Sequence, residues 1–418
     1  MNGPEWSTSP FGELPLEIID GDRSANYPKR SEFVSEGVPF LNSTNILEGH
    51  FDATDLDFIS EEKTASIKKG RAKPGDIVMT TRGSIGKVAV FPSSFPLGII
   101  NAQMLIIRSD PEQLDQRYLF HVMRGPEFQG RMKSFASGSA QPQIPIRDLK
   151  HVPVLLPPLP TQQRIAAILS AYDDLIETNT RRIAILEEMA RRLYEEWFVH
   201  FRFPGHEEVE FDGDLPKGWS VKTLNDIASV NPEAIKPKTA PERINYIDIA
   251  SVSPGRINSV QELAFADAPG RARRKVTDGD VIWSCVRPNR RSHALVLEPA
   301  EDTVASTGFA VLRAKEVPFS FLLASVTTDA FVDYLTNHAT GAAYPAVKQS
   351  DFEASEFILP ERRLIEAFDR TVEPMLRYVH KLDQKNANLR AQRDLLLPKL
   401  VSGEIDVSGA EAELEAAE

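Results

Sequence analysis

The sequence predicts a mixed α+β protein in which two similar globular units are each followed by a long helix. The second half of the chain repeats the first at a fixed offset, and each copy ends in a segment with heptad periodicity. At 418 residues the chain is long enough for two or three domains, each with its own core. A duplicated unit with a duplicated helix indicates two similar sites held at a set distance.

The repeat is visible as short segments that match between the copies. Most of them are related by a shift of 203 residues, and one pair needs a slip of one further residue. Overall identity between the copies is low, so we expect a shared scaffold with different ligands. The matches are residues 138–144 with 341–347, Asp148 with Asp351, 156–157 with 359–360, and 75–78 with 279–282.

Within the first copy, the pattern predicts short strands at 77–80 and 87–91 around a turn that contains Gly83 and Gly86. Residues 104–107 form a further β-type run. Residues 115–134 are predicted as one helix, with an apolar side made of Tyr118, Leu119, Val122 and Met123. The proline-rich stretch 152–160 is predicted to be extended.

Two heptad stripes predict long helices that form coiled-coil contacts. Asn179 and Asn386 either set the register of the pair or face solvent, and Pro374 is expected to kink the second helix. Arg393 occupies a position that the pattern reserves for the core. Helices of ~40 residues span roughly 60 Å at a rise of 1.5 Å per residue. Such helices could hold two domains about one to two turns of duplex DNA apart. The stripes are Ile165, Leu169, Tyr172, Ile176, Asn179, Ile183, Leu186, Ala190, Leu193 and Trp197, and Ile365, Phe368, Val372, Met375, Val379, Leu382, Asn386, Leu389, Arg393 and Leu396.

Composition favours a reducing cytoplasm. The chain has a single cysteine, Cys285, so it has no internal disulfide framework. It shows no charged start followed by an apolar run and no stretch of 18 uncharged apolar residues, so neither a secretory signal nor a membrane span is expected.

The net charge of −12 hides two basic clusters, one in each copy. Residues 63–87 hold seven basic residues against one acid, and residues 271–291 hold seven against two. The last 15 residues carry six acids and no base, which is typical of a solvated tail.

Motifs for enzyme chemistry are missing from the sequence. It contains no phosphate-cradling GxxxxGK[ST], no GxGxxG after a strand, no HExxH and no Gly-x-Ser-x-Gly. His200 and His206 flank a Pro-Gly turn without a cysteine nearby, so no metal site is predicted there. Residues 231–234 lack the second proline and the aromatic of an amino-methyltransferase motif, and Cys285 lies in a β-type run where a buried thiol is expected.

The basic clusters suit a DNA surface. Cations bind phosphates, while neighbouring amides and hydroxyls can read base edges. The alternative is that each cluster is a solvated basic face with no ligand. The presence of a cluster at the matching place in both copies favours DNA binding over this alternative. The candidate DNA-binding residues are Lys68, Lys69, Arg71, Lys73, Arg82, Lys87, Gln141 and Gln143 in the first copy, and Arg271, Arg273, Arg274, Lys275, Arg287, Asn289, Arg290, Arg291, Tyr344 and Lys348 in the second.

Several segments together resemble the specificity subunits of type I restriction–modification systems. The most specific are residues 156–166 (LPPLPTQQRIA), which lead into the first helix, and 389–405 (LRAQRDLLLPKLVSGEI), which end the second. Residues 73–78, 82–87 and 138–144 resemble the family's target-recognition core. The chain departs from the family in two places. Only the second copy opens with Leu-Pro-Lys-Gly-Trp (215–219), where the first has residues 14–17, and the second copy replaces Arg-Gly-Ser-Ile-Gly by residues 286–290.

The resemblance implies a non-catalytic, DNA-binding subunit whose two helices pair antiparallel. Each target-recognition domain would read one half of a split, asymmetric sequence, and the helices would measure the spacer. Its implied partners are double-stranded DNA, modification subunits (expected as two) and restriction subunits. It needs no cofactor itself, because S-adenosylmethionine, ATP and Mg would belong to the partners. The expected domains are 1–157 and 204–360 for target recognition, helices at 158–203 and 361–402, and an acidic tail at 403–418.

Two rival hypotheses remain. A methyltransferase–specificity fusion would need a catalytic domain, and no segment is left over to supply one. A coiled-coil scaffold would bind only proteins, and its binding to duplex DNA would not improve when a modification partner is added.

Overall fold

The computed structural model describes residues 6–47, 49–136 and 142–407. The chain divides into two compact units. The first comprises the described residues up to Glu177 together with those from Asn386 onward, and the second comprises Thr178–Lys385. In the described part of the chain, no helix is both long enough and apolar enough to span a membrane.

The first unit contains two sheets and a separate strand pair. One sheet has the antiparallel order β2-β10-β7-β8, and the other has the order β3-β5-β4-β9-β6, with β4 and β9 parallel. Strand β1 pairs with β11. The strands are β1 (Ser7–Pro10), β2 (Leu16–Asp20), β3 (Phe33–Val34), β4 (Val38–Leu41), β5 (Asp57–Ile59), β6 (Arg71–Ala72), β7 (Ile77–Thr80), β8 (Val88–Val90), β9 (Gly98–Ile100), β10 (Met104–Ser109) and β11 (Pro153–Leu156), and the helices are α1 (Glu61–Ser66), α2 (Gln116–Arg124), α3 (Pro126–Ser134), α4 (Ile146–Leu149) and the beginning of α5 (Leu159–Tyr194).

The second unit repeats this topology, except that the sheet order has no strand in the place of β3 and that β12–β13 and β17–β18 form two further pairs. Its sheets have the orders β15-β24-β21-β22 and β19-β16-β23-β20, with β16 and β23 parallel, and β14 pairs with β25. The strands are β12 (Phe211–Asp212), β13 (Leu215–Pro216), β14 (Ser220–Thr223), β15 (Ala228–Val230), β16 (Arg243–Ile247), β17 (Val252–Ser253), β18 (Arg256–Ile257), β19 (Gln261–Ala264), β20 (Ala272–Lys275), β21 (Val281–Ser284), β22 (His293–Leu295), β23 (Thr303–Ser306), β24 (Phe309–Ala314) and β25 (Glu356–Leu359), and the helices are α6 (Leu224–Ile227), α7 (Phe319–Ser325), α8 (Asp329–His338), α9 (Gln349–Glu353) and α10 (Arg362–Val401), whose last part belongs to the first unit.

The repeated Gly-Asp pair has a structural cause. Gly75 and Gly279 adopt positive φ values of 87° and 83°, which favour glycine, in the turns before β7 and β21. In the first unit Asp76 accepts the amide N–H of Lys73 and binds Arg108 of β10. Asp280 makes the corresponding bonds in the second unit, to Thr277 and to Arg313 of β24. The repeat therefore preserves a turn and a buried ion pair.

The predicted helix over 115–134 is wrong as a single element. It consists of α2 and α3, separated at Gly125, whose ψ of 145° is extended. Pro126 disfavours a helical conformation of the residue before it, so the chain breaks there and starts again with proline in the first turn. The predicted apolar side of Tyr118, Leu119, Val122 and Met123 is buried.

A second correction concerns the opening of the first copy. Strand β1 corresponds to β14, because they occupy the same place beside β11 and β25. Trp6 directly precedes β1, as Trp219 precedes β14, so Trp6 is the counterpart of Trp219. Residues 14–17, which sequence matching selected, lie instead at the start of β2.

The heptad stripes of the long helices face inward. Each of the twenty stripe residues is buried or half-buried, and Asn179 and Asn386 are buried. Helix α10 continues through Pro374, and the first long helix ends at Tyr194, followed by one wider turn at Glu195–Val199.

In each unit, residues of α5 and α10 share a core. In the first, Ile165 and Leu169 belong to the same apolar cluster as Leu397 and Leu400. In the second, Ile183 clusters with Val379 and Leu382. Also in the second unit, the rings of Tyr194 and Phe368 lie 6.0 Å apart. Contacts of Asp173 with Arg393 and of Ile176 with Asn386 give the order in the first unit. Within each unit, a residue later in α5 therefore contacts a residue earlier in α10, as in an antiparallel pair.

Candidate nucleic-acid interface

In the first unit, a loop after β7 meets the segment that begins at residue 142. The amide of Gly83 donates to the carbonyl of Pro142 at 3.0 Å, and the amide of Ile144 donates to Thr81 at 3.0 Å. These bonds align Arg82 with Gln143 as bridge partners, and both side chains are exposed. The structure thus brings together a cation and an amide from two separate sequence segments. We call this pairing of the loop after β7 with the segment from residue 142 the first junction. Gln141 lies outside the described residues.

The second unit has a corresponding junction, in which the loop after β21 pairs with residues 344–346. Val286 pairs with Ala346 across the two segments, and the amide of Arg287 donates to the carbonyl of Pro345 at 2.7 Å. The guanidinium of Arg287 lies 4.9 Å from the centre of the Tyr344 ring, which is 70% exposed. This cation–π contact presents an exposed aromatic face beside a positive charge.

Backbone conformation also differs between the two loops. Gly83 and Gly86 supply the positive φ values of the first loop. In the second loop Arg287 and Arg291 adopt left-handed φ values of 51° and 54° on either side of a short turn, Pro288–Arg290. Such a conformation costs a non-glycine residue roughly 1–2 kcal/mol. Other contacts of the loop must therefore offset this backbone strain at Arg287 and Arg291.

Strand β20 adds a row of cations near this loop. The amide of Thr307 donates to the carbonyl of Arg271, and the amide of Cys285 donates to Gly308, so the β20 end and the β21 loop meet at the β23–β24 turn. The guanidinium of Arg271 bonds Asp248 at 2.6 Å and the hydroxyl of Tyr246 at 3.0 Å. Burial opposes the charge of Asp248, but bonds from Ala250, Arg271 and Tyr246 hold its pKa below the ordinary value. Arg271 is therefore oriented in advance.

The two following arginines have different surroundings. Arg273 stacks at 4.8 Å over the ring of Phe265. Nε of Arg274 is buried, and it alone among the buried side-chain nitrogens and oxygens of the described residues has no hydrogen-bond partner. Burial raises the pKa of the nearby Cys285 thiol to about 11, although the charge of Arg274 opposes the rise. The thiol is therefore protonated at neutral pH.

Several predicted residues lie away from these junctions or already have structural roles. The guanidinium of Arg71 donates to the carbonyls of Thr64 and Ile67, where it closes the end of α1. Lys73 precedes β7 and Arg82 follows it, so they lie at opposite ends of that strand. Lys275 ends β20, away from the junction at Arg271, and its amide donates to Glu233.

The remaining predicted residues occupy exposed or half-buried loop positions. Lys68 and Lys69 are exposed after α1, and half-buried Lys87 lies just before β8. Asn289 and Arg290 are exposed in the turn Pro288–Arg290. In two cases the predicted residue has a local partner: Arg291 forms an ion pair with Asp329 of α8, and the amide of Lys348 donates to Asp351 at the start of α9.

Sequence analysis missed two residues at the first junction. Arg23 donates to the carbonyl of Ala102 at 3.0 Å, and the adjacent Gln103 is exposed and accepts the amide of Thr81 through its carbonyl. Neither belongs to a basic run, and their proximity arises only from pairing in the fold. The sequence contained no local signal for them.

The exposed side chains of both junctions are suited to binding a nucleic acid. Exposed guanidinium groups, amides and an aromatic ring fit phosphate oxygens, base edges and base faces. In the described ranges, no group of three or more His, Cys, Asp or Glu side chains is placed to hold a metal ion.

Comparison with known proteins gives one consistent family. Residues 5–188 match the family model described as the type I restriction modification DNA specificity domain. The MjaIX type I restriction enzyme specificity subunit of Methanocaldococcus jannaschii is 28% identical over 349 residues, which cover 80% of this chain and 78% of that protein. The HindI type I restriction enzyme specificity subunit of Haemophilus influenzae is 22% identical over 463 residues, which cover 92% of this chain and 98% of that protein.

A solved structure has the same fold. The type I restriction–modification S subunit of M. genitalium superimposes with a TM-score of 0.62 at 15% identity, and the match covers 98% of each chain.

Proposed function

This chain belongs to the specificity subunits of type I restriction–modification systems, and we propose that it reads a split, asymmetric DNA target with one half-site per unit. The observation that carries the proposal is the repeated junction. One architecture presents Arg82 and Gln143 in the first unit but Arg287 and Tyr344 in the second. The same scaffold with different exposed side chains favours two different half-sites.

Direct readout would fall mainly to side chains that are already oriented. The bonds to Asp248 and Tyr246 leave one edge of the Arg271 guanidinium for a guanine, which arginine contacts in a bidentate manner. Gln143 suits adenine for the same geometric reason. Exposed lysines such as Lys68 and Lys69 would bind phosphates and carry no sequence information.

The helix pair is proposed to set the spacer between the half-sites. Helices α5 and α10 contain 36 and 40 residues, so they are about 54 and 60 Å long at 1.5 Å per residue. The antiparallel contacts inside each unit support a continuous antiparallel coiled coil. In this proposal Asn179 and Asn386 help to fix its register, because a buried amide tolerates few alignments.

Modification subunits, two of them, are proposed to dock on the outer faces of the helices. Leu175 of α5 and Tyr378 of α10 lie 203 residues apart, at the same position of the repeat, and each is 47% exposed. Matching apolar residues at matching positions favour one docking site per unit. Restriction subunits would join that assembly. Methyl transfer with S-adenosylmethionine and cleavage with ATP and Mg would belong to the partners, while this chain remains non-catalytic.

Methylome sequencing of a host that carries this chain and its modification partner tests the proposal. We expect methylated adenines in a split motif with a fixed spacer. Exchange of residues 210–357 for the matching domain of a relative should change one half-site only. Methylation without a split motif, or a hybrid that changes both halves, would contradict the proposal. Methyl transfer by the purified chain alone would contradict its non-catalytic role.

A length change tests the helices as the spacer ruler. Four residues inserted after Asn179 add about 6 Å to α5 and rotate the following chain by about 40°. A base pair rises 3.4 Å, so the preferred spacer should lengthen by about one or two base pairs. The half-site sequences should not change. An active, folded insertion variant that keeps the original spacer would exclude the helices as the ruler.

A further inference from the structure

A buried ionic cluster in the first unit joins its globular part to both long helices. Asp173 of α5 binds Arg124 of α2 at 2.7 Å and Arg393 of α10 at 2.5 Å. Both arginine side chains are 13% exposed and the carboxylate is 27% exposed. Arg393 therefore occupies a core position of the heptad stripe because it has a carboxylate partner on the other helix. We call this cluster the first clamp.

Its surroundings keep the first clamp charged. Burial opposes the charge of Asp173, but Arg124 and Arg393 outweigh it and keep the carboxyl pKa below its ordinary value. His121 lies beside the carboxylate, with its Nδ1 3.9 Å away and its Nε2 3.2 Å from the hydroxyl of Ser170. Because burial lowers the pKa of His121 to about 3, the ring is neutral at physiological pH.

The second unit has a clamp of the opposite polarity. Arg256, at the start of β18, binds Glu187 of α5 at 2.5 Å and lies 3.4 Å from Asp383 of α10. Here one cation from the globular part lies between an acid on each helix. The arginine is 32% exposed and each acid 40% exposed, so this second clamp is more open to solvent than the first.

The positions that form the first clamp have no ionic counterpart in the second copy. At the repeat distance of 203 residues, Leu376 stands for Asp173, Thr327 for Arg124 and Ala190 for Arg393. These three residues line a cavity of about 1240 Å³ in the second unit. The two units thus use different clamps, and the second has unfilled space where the first has a buried cluster.

We propose that Asp173 and Arg256 are positioning residues that fix the orientation of each recognition domain on the helix pair and so make the complex selective for spacer length. This proposal rests on the proposed function and deepens it. A recognition domain that contacts only one helix can rotate about that contact. In the second clamp the domain residue Arg256 bonds both helices directly, and in the first clamp Arg124 of the domain bonds Asp173 of α5, which in turn bonds Arg393 of α10. Each clamp therefore restrains this rotation, and a small rotation displaces a distant half-site by a whole base pair.

The test compares methylation by the assembled complex on duplexes with the native spacer and with spacers one base pair longer or shorter. The wild-type complex should strongly prefer the native spacer. Arg256→Ala should reduce that preference by about tenfold or more, because a misplacement of 1 Å can cost about a hundredfold in rate. Arg256→Lys should restore part of it, because an ammonium can still reach one acid. The loss in Arg256→Ala should be mimicked by raised salt in the wild type, since exposed ion pairs are screened.

The first clamp is best removed as a set. The variant His121→Ala, Arg124→Thr, Asp173→Leu, Arg393→Ala copies the residues of the second copy and leaves no unpaired buried charge. Arg393→Ala is the smaller change and decides the question if the set fails to fold, because it frees α10 from the cluster while Asp173 keeps Arg124 as its partner. Arg362→Ala is the control, because Arg362 is 91% exposed and pairs with Glu366 on the exposed side of α10.

We expect clamp variants to accept altered spacers while keeping both half-site sequences and the Arg362→Ala variant to behave as wild type. Folded clamp variants, verified by thermal unfolding, that retain wild-type spacer selectivity would overturn the proposal. A wild-type complex that methylates no split target would instead contradict the proposed function, so the two failures are distinguishable.

Discussion

The two units have a common sheet with a common turn, but they present different side chains at its end. Asp76 with Arg108 and Asp280 with Arg313 form the same buried ion pair at the same place. The loop that follows is glycine-rich in the first unit and carries left-handed Arg287 in the second. The comparison teaches that this shared ion pair maintains the fold, whereas the loop that follows it, where DNA would be read, differs between the units.

The largest effects should come from the shared ion pair. Replacing Asp280 by Ala removes the buried partner of Arg313, which is 25% exposed and keeps Glu233 as a second partner, so the cost should stay below the ~3–5 kcal/mol of a fully buried pair. Asp76→Ala should act in the same direction on the first unit. Asp280 is fully buried and Asp76 is 5% exposed, so the second unit should lose more. Hydrogen exchange of each unit would measure this. Equal protection in both variants and wild type would show that the pair is not structural.

A next-largest effect should distinguish the units at low pH. The pKa of His121 in the folded state is about 3, below its unfolded value of 6.5, so the unfolded chain binds the proton more readily. Stability of the first unit should fall as pH drops from 6.5 toward 3, by up to ~3 kcal/mol at pH 4. Asp173 adds little above pH 4, since the stabilisation from its lowered pKa is lost mainly as pH falls through the unfolded value of 3.8 and below.

The variant His121→Gln should remove this acid sensitivity from α2. Hydrogen exchange between pH 7 and pH 4 would measure it, with the second unit as an internal reference. His293 of that unit is also buried with a lowered pKa, so the reference should keep its own sensitivity in the variant. An unchanged pH profile of α2 in His121→Gln would contradict the assignment.

Effects on DNA binding should be smaller and should depend on whether a guanidinium closes a helix end, as that of Arg71 does, or bonds the carbonyl of the preceding residue, as that of Arg273 bonds Ala272. Replacing Arg273 and Arg274 by Ala should weaken binding of the complex to all sequences and lower the log–log salt slope by up to ~2. Arg71→Ala should leave the slope unchanged, because its guanidinium already serves the carbonyls of Thr64 and Ile67. Titration of duplex binding against salt would check both. A reduced slope for Arg71→Ala would mean that Arg71 reaches phosphate.

The sequence predicted the structure correctly where a residue type has one usual environment, as apolar side chains do in the core. The strands at Ile77–Thr80 and Met104–Ser109 follow from short apolar runs, and the inward stripes of α5 and α10 follow from heptad periodicity. Charged side chains have no single usual environment, so their positions in the sequence did not predict their roles. Arg71, Arg82 and Arg393 look alike in sequence, yet one closes a helix end, one is exposed and one is a buried clamp residue.

Alignment of the copies failed where connections differ in length. Trp6 and Trp219 are 213 residues apart, whereas the later segments are 203 apart, so no single offset relates the copies, and the Leu-Pro pair in residues 14–17 was matched with the one at 215–216 instead. Only the pairing of β1 with β11 and of β14 with β25 identifies the counterpart. Arg23 and Gln103 could not be predicted for the same reason, because only hydrogen bonds between distant segments place them beside the first junction.

The smallest effects concern the outer faces of the helices and test whether the two units are equivalent for partners. Leu175→Ala and Tyr378→Ala remove exposed apolar side chains, so each should change folding stability by no more than ~0.5 kcal/mol. If each residue anchors one modification subunit, each variant should weaken one of two binding events by about 1 kcal/mol or more.

Titration of the modification subunit into each variant, followed by mass measurement of the complex, would separate the two events. Val221→Ala is the matched control, because Val221 is 52% exposed but lies on β14 rather than on a helix. The double variant should weaken both events equally, since the two positions are related by the repeat. If one single variant weakened both events, the docking sites would not be separate. If neither did, the partners would contact other faces of the helices.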